Sequence, residues 1–127
     1  MKQQPLQGWW TDELSPHLEI LLPTGECFDV VVDSGFNGAL MLPAATLKSL
    51  GLRDAGPIQS ELADGSRVWT SLYAGEIIWF GQPKRVWIQS TNSAEGLLGT
   101  KLFQGCKVEL DPDANVVSFR KKPVRRR

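Results

Sequence analysis

Apolar positions along this chain fall in short runs, most alternating with polar ones and broken every few residues by glycine, proline or aspartate. That is a pattern of strands and tight turns. His17-Leu18-Glu19-Ile20-Leu21-Leu22 and Glu26-Cys27-Phe28-Asp29-Val30-Val31-Val32 read as two strands, with Pro23-Thr24-Gly25 as the hairpin turn between them. Ala39-Leu40-Met41-Leu42 reads as a further short strand. Pro43 then opens a helix of about two turns, with Ala44, Leu47 and Leu50 at helical spacing and Gly51 as its stop. From Pro57 onward the pattern returns to β. Residues 58–62 and 67–73 flank Ala63-Asp64-Gly65-Ser66, and Asp-Gly between two alternating runs is a strong hairpin signal. Strand patterns at 75–80 and 85–90 are joined by Gly81-Gln82-Pro83-Lys84. Gly96-Leu97-Leu98-Gly99 is a glycine-bracketed apolar step leading into a short helix, and a last hairpin pairs 107–110 with 115–119 about Asp111-Pro112-Asp113-Ala114. Together these elements predict an all-β domain, a compact barrel or folded sheet with one or two short helices.

The chain of 127 residues is long enough for one domain with its own core, and 42% apolar against 22% charged residues suits a soluble globular protein. Residues 1–16 read as a lead-in, with Gly8-Trp9-Trp10 placed to dock on the body, residues 17–119 as the domain, and 120–127 as a basic tail. No apolar run approaches the ~20 residues that span a bilayer. Met1-Lys2-Gln3-Gln4-Pro5 lacks the apolar core of a signal peptide, so the expected location is cytoplasmic and away from membranes. The zero net charge hides an asymmetry. Six of the fourteen basic residues stand in the last eight positions, which leaves residues 1–119 with eight basic and fourteen acidic groups, a net of −6. The tail reads as a solvated terminus, and the acidic body argues against nucleic acid as the main partner. Cys27 and Cys106 lack metal-ligand spacing and read as two buried free thiols. With His17 the single histidine, a zinc site or a Ser–His catalytic pair has little support.

The candidate chemistry lies in Val30-Val31-Val32-Asp33-Ser34-Gly35-Phe36-Asn37-Gly38. Three β-branched residues run directly into an acid followed by a glycine-bearing turn, which describes a buried strand delivering a carboxylate to a tight loop. A lone desolvated charge is costly, and a second carboxylate sharing its proton is one compensation. Only one such Asp-Ser-Gly exists in the chain, so on the shared-proton reading the second acid must come from another copy.

Asp33-Ser34-Gly35, the Gly65 hairpin about thirty residues later and Leu97-Leu98-Gly99 about thirty after that resemble, in this order, the retropepsin-like aspartic proteases. The resemblance covers roughly residues 17–119 and is nearest to the small bacterial-type single-domain members. It implies one lobe per chain, a homodimer, and a water activated between two Asp33 carboxylates for hydrolysis of an extended peptide or protein substrate, with no metal or cofactor. Ser34 and Gly35 would shape the catalytic loop. Phe36, Asn37, Ala63, Asp64, Gly65 and Ser66 would meet the substrate, the last four as a closing flap. Leu97, Leu98 and Gly99 would support the loop from beneath. Trp69, Trp79 and Trp87 are aromatic candidates for either pocket walls or core. The competing class is a non-catalytic peptide-binding or dimerisation module on the same fold, in which Asp33 is only a turn acid. The flap's single glycine, the helix in residues 39–57 and the lack of an obvious dimer-knitting last strand depart from the viral pattern.

Overall fold

The computed structural model describes residues 4–123. In chain order the elements are β1 (Leu6–Gln7), β2 (Trp9–Trp10), β3 (Pro16–Leu21), β4 (Cys27–Val32), β5 (Leu40–Pro43), α1 (Ala44–Ser49), β6 (Arg53–Glu61), β7 (Arg67–Trp79), β8 (Gln82–Thr91) and β9 (Gly96–Leu98). A single 3-10 turn follows at Thr100–Leu102, then β10 (Cys106–Asp111) and β11 (Val116–Lys121). Eight strands form one sheet in the order β2-β3-β4-β9-β5-β8-β7-β6, and a contact of Leu21 in β3 with Ile78 in β7 folds that sheet back on itself. A second sheet has the order β1-β11-β10. The all-β reading of the alternation therefore holds.

Period-two burial explains the core. Leu18 and Ile20 of β3, Val30 and Val32 of β4, and Leu40 and Leu42 of β5 all point inward, while the residues between them stay partly or fully exposed. Leu47, Ile77, Ile88, Leu98 and Leu102 close the cluster. Burying side chains of this size contributes about 1.5–3 kcal/mol each. Phe119 of β11 sits edge-on to Phe103 and Trp79, with ring centroids 5.5 and 5.7 Å apart. The second sheet is thereby fastened to the first.

The topological feature that positions the site is β9. It runs parallel to β4, pairing Val30 with Gly96 and Val32 with Leu98, and antiparallel to β5, pairing Leu40 with Leu98. The loop leaving β4 must therefore pass over the end of β9 before it re-enters the sheet as β5.

Several sequence boundaries move. The patterns at 67–73 and 75–80 belong to one strand, β7, which runs through Gly75. Gly75 does not break the strand. It lies where a Cβ would come 2.6 Å from Ile88 Cδ1, so the glycine serves close packing. The turn expected over residues 81–84 is tighter: Phe80 and Gly81 both have positive φ (51° and 76°), and Gln82 and Pro83 already lie in β8. A two-residue turn of this hand matches the twist of the flanking strands, and Pro83 is tolerated near a strand's start. β6 begins at Arg53, five residues before its apolar alternation becomes visible, because a bulge between Asp54 and Gly56 disrupts the register. The expected helix is α1, with Pro43 as its cap and Gly51 (φ 64°) beyond its end.

The lead-in docks on the body. β1 pairs with β11 and β2 with β3, and the Trp10 indole N–H donates to the Val116 carbonyl at 2.8 Å. At the other end, Arg120 and Lys121 of the expected tail continue β11, while 124–127 lie outside the described residues, as do 1–3. No helix among the described residues is long and apolar enough to cross a membrane.

Candidate active site

Asp33 follows directly on the buried Val32. Its backbone N–H donates to the Leu98 carbonyl of β9 at 2.9 Å, which anchors the acid to the strand beneath it. Its side chain is half-buried, and Oδ1 accepts the Gly35 N–H at 2.8 Å, the hydrogen bond of an Asx turn. The other carboxylate oxygen has no hydrogen-bond partner among the described residues. Ser34 and Gly35 are exposed at the turn, and the Phe36 N–H closes it on the Asp33 carbonyl at 3.2 Å. One carboxylate oxygen is thus fixed by the loop and the other is open at an exposed turn.

The remainder of the loop is bonded to the segment after β9. Gly99 N–H donates to the Ala39 carbonyl (2.9 Å), Thr100 N–H to the Phe36 carbonyl (2.8 Å) and Lys101 N–H to the Gly38 carbonyl (3.2 Å). The fit is close. A Cβ at position 99 would collide with the Gly38 carbonyl oxygen and stand 2.5 Å from the Phe36 carbonyl oxygen. The structure thus brings Leu98 and Gly99 into hydrogen-bond contact with the Asp33 loop, and pairs Leu97 with Val31 and Met41 on either side.

Ala63, Asp64, Gly65 and Ser66 form the tip of the β6–β7 hairpin and are all exposed. The turn is closed by Leu62 N–H to the Ser66 carbonyl (2.7 Å) and Gly65 N–H to the Leu62 carbonyl (2.9 Å), with Gly65 at φ 87°. The Asp64 carboxylate accepts both the Ser66 hydroxyl (2.6 Å) and the Ser66 N–H (2.9 Å), and these bonds lower its pKa below the ordinary 3.8. The tip is held by bonds within the hairpin itself.

Between loop and hairpin lies a pocket of ≈ 350 Å³. Residues 37–39 form one wall, Ile58 and Leu72 come from the hairpin's stem, Trp87 and Gln89 from β8, and Lys101 and Leu102 from the 3-10 turn. Asn37, expected to meet substrate, lines it. Phe36 does not; its ring packs against Gly38 and Gly99, where an added Cβ would stand 2.5 and 2.6 Å from ring carbons. Gln89 links the two sides: its Oε1 accepts the Ser60 hydroxyl of the hairpin at 3.4 Å, and its Nε2 stands 3.3 Å from where a Gly38 Cβ would be. Ile58, Leu72 and Gln89 were not singled out from the sequence. The signal was there in the alternation Arg85-Val86-Trp87-Ile88-Gln89, which buries Val86 and Ile88 and turns the other three to the opposite face.

The tryptophans divide. Trp87 is 57% exposed and lines the pocket, Trp79 packs edge-on to Phe80 and Phe119, and Trp69 is 69% exposed on the hairpin. His17 stacks on Trp9 at 5.8 Å. The expectation of two buried thiols needs correcting: Cys106 is buried but Cys27, at the start of β4 beside the first hairpin turn, is exposed, and both are free. Among the described residues no group of three or more His, Cys, Asp or Glu could hold a metal ion.

With this geometry in place, two solved structures that it resembles define the fold. The chain is similar to a retropepsin-like aspartic protease from Rickettsia conorii at 10% sequence identity, with a TM-score of 0.65 over 91% of this chain and 90% of that one. A foamy viral protease-reverse transcriptase is similar over 67% of this chain and 11% of its own much longer chain, at 14% identity and a TM-score of 0.51. A simian foamy virus (mac) protease matches at 18% identity and a TM-score of 0.47, over 77% of this chain and 89% of that one. No protein-family model and no curated protein matches the sequence. This chain has the retropepsin-like fold, one all-β lobe. At such identities the chemistry must be argued from its own residues.

Proposed function

We propose that this protein is an aspartic endopeptidase that works as a homodimer, each copy contributing Asp33 to a shared dyad. The observation that carries the reading is the Asp33 loop: an apolar strand ends on a half-buried acid whose one oxygen is fixed by Gly35 N–H and whose other is open, braced from below by Leu98 and Gly99. Two such carboxylates brought together cannot both ionise cheaply, so they hold one proton between them. The ionised member takes a proton from water as its oxygen attacks the peptide carbonyl carbon. The protonated member gives its proton to the carbonyl oxygen, forming a tetrahedral diol. Collapse of the diol breaks the C–N bond as the leaving nitrogen takes up a proton from the dyad. The β6–β7 hairpin is the flap, and residues 63–66 at its tip hold the extended substrate by main-chain hydrogen bonds and exclude water. Ser34 and Gly35 shape the loop. The cytoplasm remains the proposed location.

The test is cleavage of a mixed peptide pool from about pH 4 to 7, over a range of protein concentrations, with Asp33→Asn alongside. Cleavage that disappears in the folded variant and rises in specific activity as chains pair supports the reading. Retained cleavage in Asp33→Asn overturns it. No cleavage by folded protein under any condition shifts the weight to a peptide-binding module.

A further inference from the structure

Among the described residues three basic side chains border one pocket: Lys84, Arg85 and Lys101 stand around the cavity beside the Asp33 loop. This concentration is unexpected on a body whose net charge over residues 1–119 is −6. Among the described residues no aspartate or glutamate lines the cavity. Glu76 is opposite Arg85 across β7 and β8, yet none of the three cations has an ion-pair partner among the described residues. They differ in placement. Arg85 shares the outward face of β8 with Trp87 and Gln89, Lys101 belongs to the 3-10 turn, and Lys84 borders a second cavity beside Cys106 as well. Ile58, Leu72, Val86 and Leu102 give the same cavity apolar lining.

An occupant of this cavity needs an apolar stem to lie against those walls and an anionic end to meet Arg85 and Lys101. It must also be reachable from a chain passing the Asp33 loop, because residues 37–39 form part of the wall. We infer that this pocket is an acidic-residue subsite, and that the protein selects extended peptides carrying a glutamate side chain next to the segment held at Asp33. The inference rests on the peptide-binding site proposed above. Unpaired guanidinium and ammonium groups can each form a charge-assisted hydrogen bond with a carboxylate. Asn37 and Gln89 add neutral donors at the pocket's loop side.

Matched short peptides capped at both ends, differing only in Glu, Gln or Lys at one position, decide the matter at about pH 6, where a glutamate is ionised. The expected result is a preference for Glu over Gln of about tenfold in kcat/KM, weakened by added salt and abolished in the paired variant Arg85→Gln, Lys101→Gln. Lys101→Glu should turn the preference toward Lys. The same peptides with a free C-terminus separate a side-chain carboxylate from a terminal one; a preference that follows the terminus overturns the side-chain assignment. Equal use of Glu and Gln peptides also overturns it, as does a preference indifferent to both substitutions while the variants melt like the parent. Fluorescence anisotropy of the same labelled peptides on Asp33→Asn keeps the two readings apart. Glu-selective binding without cleavage by the parent sustains the subsite and sinks only the hydrolytic step. Absence of both binding and cleavage removes the subsite.

Discussion

Asp33 is held by backbone groups, so the sharpest residue-scale consequences fall on the groups that hold it. Gly99→Val places a branched side chain against the Gly38 and Phe36 carbonyls, which are themselves fixed by hydrogen bonds and cannot give way cheaply. Overpacking of this kind costs about 1–3 kcal/mol, with loss of folding at the upper end; a fall in the urea midpoint is the expected outcome, and an unchanged midpoint would contradict the close packing described. Asp64 makes a milder prediction. The hydroxyl and N–H of Ser66 favour its charged form, so its folded pKa lies below the ordinary 3.8. A depressed carboxylate stabilises the fold above its unfolded pKa, and that contribution is lost as pH falls through the folded value. The β6–β7 turn is therefore tightest above about pH 4. An NMR titration should place Asp64 below 3.8, and Ser66→Ala should move it back up. Asp33 was legible at this scale because a run of valines ending on an acid is chemically odd. Gln89 was not, because a glutamine in a strand is ordinary until its neighbours across space are known.

At the scale of elements, the hairpins were readable and their lengths were not. Asp64-Gly65 and the Pro23-Thr24-Gly25 turn carry local chemistry that fixes where the chain reverses. The continuity of β7 through Gly75 depends instead on Ile88 in the facing strand, which no local pattern reveals. β9 is the extreme case. Two leucines bracketed by glycines have little strand preference of their own, yet β4 and β5 pair with them from both sides. β7 also carries an anomaly, since Thr70 Oγ1 is buried with no hydrogen-bond partner. An unsatisfied buried hydroxyl costs about 1–3 kcal/mol, and valine keeps its shape and strand preference. Thr70→Val should thus leave stability unchanged or raise it, as read by chemical denaturation. A clear loss would mean that the hydroxyl is partnered in solution.

For the whole molecule, the proposed dyad requires two chains, and this sets a test that one chain's stability cannot mimic. Adding excess Asp33→Asn protein to a fixed amount of parent should extinguish cleavage, because a mixed pair retains only one of the two carboxylates. Activity that persists in proportion to the parent chains would show that each chain works alone. The sequence by itself determined the all-β character, a short helix between Pro43 and Gly51, the main turns and the candidate acid, because each depends on residue type and short-range periodicity. Tertiary structure alone decided that β9 lies between β4 and β5, that the Phe36 ring packs against Gly38 and Gly99 while Asn37 lines a pocket, and that basic residues from two distant segments border that pocket. Those facts depend on which strands pair, and strand pairing is set by the burial of apolar faces across the whole chain rather than by any segment's own preference.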